Sequence, residues 1–304
     1  MTRLSGLPWY GRATLLGCLT LVLQACQPSP LESADFVTTI PPLQLILIEL
    51  TGDAASVACI LPPGASPHTY ELRPSTARLL ENAKAVFYAD DSIDGWAARL
   101  APGRIYPVFT MVPEELRRAF HGNHHHGESP EENRPPTLNA HFWSDPVVVR
   151  AIVPDLVEIL SKLDPDNSAA YAANATIFLA ELDALDAEFK AMPAPADGYA
   201  LVAFHPSWCY FFERYGIKVA AYVEPFPGKE PTPQTIQQLK QDLSGAQRRV
   251  VLSEVQLPAK SAEVLAETLG AHIAVIDPLG GQGERTTYAG LIRYNAARVR
   301  EALQ

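Results

Sequence analysis

The sequence predicts an α/β protein of two doubly wound lobes, joined by one long rigid helix, with a cleft between the lobes. Three observations carry that prediction. Short apolar runs alternate with helical stretches from residue 35 onward, the order expected of β-α-β units on mainly parallel sheets. The alternation breaks once, for a helical pattern of roughly 27 residues, or about 40 Å at the α-helical rise. It then resumes over a stretch of similar length.

The first lobe is expected over 35–163. Residues 36–39 read as its first strand, and 43–50 as a helix closed by Gly52. Val57-Ala-Cys-Ile60 is a second strand, and 75–82 the helix after it. Residues 85–88 and 105–109 are the third and fourth strands, the last at an edge because Pro107 cannot donate to a ladder. Helical spacing returns over 93–100 and 147–163. The linking helix is 164–192, opened by Asp164 as cap and Pro165 at the first helical position. Tyr171, Phe178, Leu182, Leu185 and Phe189 line one of its faces. In the second lobe, 193–304, strands are expected at 199–204, 218–222, 250–253 and 272–276. Helices are expected at 208–215, 233–243, 259–269 and 288–303.

With 304 residues, 47% hydrophobic and 19% charged, the chain is a globular protein large enough for two cores. Its net charge of -10 argues against nucleic acid, because phosphate binding needs clustered Lys and Arg. Residues 1–25 read as a lipoprotein signal peptide: Arg3 and Arg12 precede an apolar segment too short to remain as a spanning helix. Leu23-Gln-Ala-Cys26 matches a bacterial lipobox, which makes Cys26 the lipidation site; an ordinary secretory signal cut nearby is the alternative. Residues 26–34 follow as a tether. The mature protein is thus expected outside the cytoplasm, in the periplasm or at the cell surface, held to a membrane only through its lipid. Of four cysteines, Cys59 and Cys209 remain after processing. They are open to three readings (buried thiols, a disulfide or soft metal ligands), and the lack of C-x-x-C spacing favours the first.

Four residues stand out as candidate metal ligands. His68 lies in Leu61-Pro-Pro-Gly-Ala-Ser-Pro-His68-Thr-Tyr-Glu71, a stiff loop just past a strand, where open α/β sheets bind ligands. His141 lies in Asn139-Ala-His141-Phe-Trp-Ser-Asp-Pro146, and His205 directly follows the apolar run 199–204. Asp277 ends a strand expected to be buried, ahead of Pro278. Each has a plain structural reading: a surface histidine, a packed core histidine, a turn-capping aspartate. Their shared position beyond strand ends, two in each lobe, favours a common site. Three imidazoles and a carboxylate make a competent shell for a divalent transition metal.

On these motifs the chain resembles the metal-specific solute-binding lipoproteins of bacterial ABC transporters, the zinc and manganese cluster. The resemblance rests on residues 62–71, 139–146 and 204–212. Gly228-Lys-Glu-Pro-Thr-Pro233, Ser253-Glu254-Val-Gln256, Ile276-Asp-Pro-Leu279 and Tyr294-Asn295 add to it. It covers nearly the whole mature chain and implies His68, His141, His205 and Asp277 as ligands. It also implies delivery of the ion to a cognate membrane permease driven by an ATPase. Manganese binders resembling it carry a carboxylate where this chain has His205. Imidazole favours zinc, so Zn2+ is the expected cargo and Mn2+ the weaker alternative. A Mn2+ or Fe2+ binder of the same fold, or a metal-binding surface adhesin, is the rival reading.

Glu71, Glu230 and Glu254 are candidates to orient an imidazole, or else solvated and capping charges. His121, His124, His125 and His126 lie in a His-rich, Pro-flanked segment, 121–128, that cannot bury anything. The resemblance gives this segment an accessory role in capturing or sensing zinc. An enzyme is disfavoured: there is no H-E-x-x-H, no Gly-x-Ser-x-Gly elbow, and Gly280-Gly-Gln-Gly283 lacks the Lys-Ser/Thr of a P-loop. Since imidazole must be neutral to ligate, ordinary histidines predict affinity falling below about pH 6.5. The stiff helix predicts limited opening of the lobes.

Overall fold

Phe36 and Val37 are adjacent, apolar and buried on opposite faces of a sheet, Phe36 toward the main core and Val37 toward a smaller one. That double burial is why the strands read as continuous apolar runs instead of alternating ones. In the computed structural model, which describes residues 33–73, 76–119, 138–195, 197–223 and 232–304, β1 (Phe36–Thr38) pairs in parallel with β2 (Val57–Cys59) and β3 (Ala85–Tyr88). β3 pairs with β4 (Ile105–Pro107), the edge strand that Pro107 predicts. A second parallel sheet holds β7 (Tyr199–Ala203), β8 (Val219–Tyr222), β9 (Arg248–Glu254) and β10 (His272–Ile276), in the order β10-β9-β7-β8. Numbered from its own first strand, each sheet runs second, first, third, fourth. Between them lies a short antiparallel pair, β5 (Arg118–Ala119) with β6 (Leu138–Asn139), that the sequence reading does not anticipate.

The helices are α1 (Pro41–Thr51), α2 (Thr76–Glu81), α3 (Asp91–Asp94), α4 (Pro146–Leu163), α5 (Ser168–Lys190), α6 (Cys209–Arg214), α7 (Pro233–Asp242), α8 (Ala259–Leu269) and α9 (Tyr288–Leu303). α1 starts with two prolines, whose missing N–H groups cost nothing in a first turn, and ends at Gly52. Asp145 caps α4 by accepting from the Val147 N–H at 2.9 Å. The linking helix begins later than expected. Pro165 opens a single 3-10 turn, and α5 itself is 23 residues long. Asp164 does not cap it; its Oδ2 accepts from Tyr171 Oη at 2.6 Å and Asn167 Nδ2 at 2.9 Å, while Lys84 pairs with Oδ1 at 3.1 Å. The segment expected as one helix at 93–100 is a short α3 followed by 3-10 turns. No helix among the described residues is long and apolar enough to cross a membrane.

α5 ties the two sheets together. Near its start, Asn174 Nδ2 donates to the Leu50 carbonyl at 3.1 Å, satisfying an end of α1. In its middle, Phe178 meets Tyr288 of α9 edge to face, and near its end Phe189 meets Phe211 and Tyr215. The largest core is therefore shared: Phe36 and Phe87 of the first sheet and Leu201 and Leu252 of the second belong to one buried cluster through this helix. The outer faces carry smaller clusters, such as Val202 and Val251 under Leu239, Leu265 and Leu269. β10 departs from expectation. It is an edge strand, exposed over much of its length, and is buried only at Ile276.

Candidate metal centre

Two prolines and Gly64 keep the chain after β2 out of regular structure until Pro67 opens a single 3-10 turn, Pro67–Thr69, that carries His68. That turn packs on α3. Trp96 Nε1 donates to the Pro67 carbonyl at 2.9 Å, and the His68 ring is hydrogen-bonded to the backbone of Ser92. His68 is therefore aimed by contacts from the next β-α unit.

His141 follows β6 and is buried. Asn139 Oδ1 accepts from the His141 backbone N–H at 2.8 Å and also meets its Nδ1 at 2.8 Å. Since the amide oxygen can only accept, Nδ1 carries the proton and Nε2 is left with its lone pair. Asn139 Nδ2 in turn donates to the Pro206 carbonyl at 3.0 Å, next to His205. One amide thus orients a histidine of the first half and grips the loop of the second. His205 comes off β7 with extended backbone, ahead of the turn Pro206–Trp208.

The three rings converge. His205 Nε2 lies 3.2 Å from His141 Nε2, and one ring nitrogen of each of His68, His141 and His205 lies within 4.8 Å of the others. A tetrahedral ion at zinc–imidazole bond lengths separates its nitrogens by about 3.3 Å, so the 3.2 Å pair suits a shared ion without rearrangement. The described residues hold one such cluster. Burial disfavours charge on two of these rings: the His68 imidazole is pushed down to about 4 by desolvation, against the hydrogen bond to the Ser92 backbone. His141 falls well below the ordinary range, first through desolvation and then through the charges of His205 and His68. Both imidazoles are neutral at physiological pH. The cavity they line has room for about 20 Å3, enough for an ion or a water.

Asp277, expected as the fourth ligand, does not join this cluster. Its next neighbours, Pro278 and Leu279, line the cavity, as does Gln256, but the carboxylate is engaged by other groups. Oδ1 accepts from Gln256 Nε2 at 2.7 Å, Gly280 N at 3.0 Å and Leu279 N at 3.3 Å. Oδ2 faces Arg285 Nε at 3.0 Å. Asn295 fixes the backbone on both sides, accepting from the Asp277 N–H at 2.7 Å and donating to its carbonyl at 2.8 Å.

The remaining candidates separate. Glu254 is buried at the cavity wall and accepts from Ser207 Oγ at 2.6 Å; Glu71 is exposed. Cys59 and Cys209 are free thiols, and burial pushes both upward, Cys59 to about 12, so neither offers a thiolate near neutral pH. The signal peptide, the tether with Cys26, the His-rich segment with His121, His124, His125 and His126, and Glu230 lie outside the described residues. Sequence reasoning missed the supporting residues Ser92, Trp96, Asn139 and Arg285. Asn139 alone carried a signal, two residues before a candidate histidine. The shared strand-end position also holds only in part: His205 and Asp277 leave strands of the second parallel sheet and His141 follows the short antiparallel β6, each within two residues, whereas His68 lies on a separate 3-10 turn past β2.

The halves are pinned beside the site. Trp143 Nε1 donates to the Pro278 carbonyl at 3.0 Å, and Tyr288 Oη to the Trp143 carbonyl at 2.9 Å. Tyr210 Oη donates to the Asn139 carbonyl at 2.7 Å, and Arg214 Nε pairs with buried Asp145 at 2.8 Å. These buried bonds oppose wide opening.

Comparison with known proteins bears on the family and the fold. The family model described as ZnuA, the periplasmic zinc-uptake complex component A, matches residues 36–302. The high-affinity zinc uptake system protein ZnuA of Paracoccus denitrificans is 27% identical over 285 residues, covering 84% of this chain and 87% of that protein. Among solved structures, a deletion mutant of ZnuA with zinc bound superposes with a TM-score of 0.74 at 26% identity, covering 90% of this chain and 98% of the other. The solute-binding protein FpvC of Pseudomonas aeruginosa, in complex with Mn2+, gives 0.73 at 26% identity, covering 88% and 98%.

Proposed function

The chain belongs to the periplasmic zinc-uptake complex component A family, and from that premise we propose that it captures Zn2+ through His68, His141 and His205. It is a binding component of an ABC importer, not an enzyme. The observation that carries the zinc reading is the pair of Nε2 atoms 3.2 Å apart, with a third imidazole beside them. Nitrogen donors on neutral rings suit zinc better than manganese, which prefers oxygen. The ion enters a cavity of single-ion size, ordered by the Asn139 amide, and is handed to a membrane permease powered by an ATPase. Cys26, once lipidated, keeps the protein at the membrane outside the cytoplasm. The His-rich segment 121–128 serves as an accessory collector, and Glu254 supports the cavity wall.

Competition titration tests this reading. One Zn2+ is expected to bind more tightly than Mn2+, and tighter Mn2+ binding would overturn the assignment. The manganese-bound relative keeps Mn2+ as the second reading. It requires an oxygen ligand, and Asp277 is the nearest candidate in sequence order to the cavity-lining Pro278.

A further inference from the structure

The Gly280-Gly-Gln-Gly283 run, unused by any phosphate site, has a structural purpose at Asp277. Gly280 turns the chain at φ +69°, where a Cβ would meet Leu291 Cδ1 at 2.9 Å and the Arg285 carbonyl at 3.0 Å. The Gly281 N–H then donates to the Arg285 carbonyl at 2.9 Å, closing the loop on itself. This closure carries Arg285 back onto the residue the loop left. Its Nε lies 3.0 Å from Asp277 Oδ2, and its guanidinium stacks on the Tyr294 ring at 4.5 Å. Both partners are largely buried, and the contact lacks the alignment of a hydrogen bond. Oδ2 and Nε are matched in charge, while neither has a hydrogen-bond partner among the described residues. Oδ1, by contrast, already accepts three donors. The oxygen lone pairs left for any further cation are those that Arg285 faces.

Resting on the zinc reading above, we propose that Arg285 is a specificity-determining residue of the metal site. By matching the charge of Asp277 it withholds that carboxylate from an incoming ion, and the three imidazoles gain no hard oxygen ligand from it. For Asp277 to turn to the ion, Arg285 must lose its buried partner, which is costly. A soft nitrogen set loses little by this for Zn2+ and much for Mn2+. Glu254 does not substitute, because it stands at the end of β9 engaged with Ser207.

The test uses the full chain as parent, with Arg285→Gln, Arg285→Lys, Asp277→Asn and the double variant Arg285→Gln with Asp277→Asn. Each is titrated with Zn2+ and Mn2+ against a competing chelator, with thermal melting as a check of folding. Arg285→Gln is expected to raise Mn2+ affinity by about tenfold or more while Zn2+ changes by less than about threefold. The gain disappears in the double variant, and Arg285→Lys, which keeps the charge, stays near the parent. Asp277→Asn alone leaves Zn2+ within about threefold. A folded Arg285→Gln without a Mn2+ gain overturns the proposal, as does a loss of roughly thirtyfold or more in Zn2+ affinity on Asp277→Asn. If Arg285→Gln does not fold, Asp277→Asn decides on the same criterion. A parent that binds neither ion would instead overturn the metal-binding reading itself.

Discussion

The two sheets share one strand order, yet they present their side chains to the cavity differently. In the second half, His205 and Asp277 leave β7 and β10 within two residues, so the parallel ladder itself sets their backbone positions. In the first half, His68 sits on a 3-10 turn and His141 just past the two-residue β6, and neighbouring groups hold them: Trp96 on Pro67, the Ser92 backbone at the His68 ring, Asn139 on the His141 ring. A side chain leaving a long parallel strand has its backbone set by the ladder, whereas one on a short turn or a two-residue strand is only as well placed as its supports.

The comparison is broken most directly by removing ligands. His141→Ala and His205→Ala should each weaken Zn2+ binding well beyond the roughly 10–100-fold cost of losing a supporting partner. Equal losses by chelator competition would show that the halves contribute equally once the cluster forms. Next comes Asn139→Ala. Weakening by about 10–100-fold is expected, with destabilisation of roughly 1–3 kcal/mol because the Pro206 carbonyl loses its buried donor. Calorimetry with denaturant melts checks both, and an unchanged affinity would refute the claim that first-half ligands depend on their supports. Trp96→Phe keeps the ring but loses the bond to Pro67, and should cost less than about tenfold.

The pH response is a smaller effect. Ordinary histidines predict loss of affinity below about pH 6.5, but burial lowers His68 to about 4 and His141 further. Protons compete for these two rings only below their folded values, so neither should erode Zn2+ affinity between about pH 7 and 5. The cost appears in the metal-free protein instead. Between about 6.5 and 4 the unfolded chain takes up a proton at His68 that the folded chain refuses, so stability falls as pH falls through that window. Urea melts of metal-free protein at pH 7 and 5 should show the difference, and constant stability would contradict the burial of these rings. Smallest of all, deleting residues 121–126 should leave one tight site with affinity within about threefold of the parent. Loss of all tight binding would move the site to that segment.

Much of the fold was legible because its signals are local. Both faces of β1 and β7 are covered, so both strands read as apolar runs. Gly270 stops α8 at φ +61° where the sequence places its end. The unread parts depend on distant partners. β5 and β6 are two residues each and exist only through their pairing. β10 is apolar in composition but lies at an edge that no strand covers among the described residues. Asp277 read as a ligand because residue type and position were visible, whereas the return of Arg285 through a glycine loop was not.

The sequence by itself determined the chemistry on offer: three imidazoles on conformationally restricted loops or strand ends, an acidic chain unsuited to nucleic acid, and two alternating β-α series. These follow from residue types and short-range periodicity. The tertiary structure decided what that chemistry becomes. Packing of two sheets on α5 sets the 3.2 Å between Nε2 atoms far apart in sequence, and burial lowers the affinity of His68 and His141 for protons. An ion pair with Arg285 engages Asp277 outside the imidazole cluster. Distances, desolvation and charge matching arise between elements, and no local pattern encodes them.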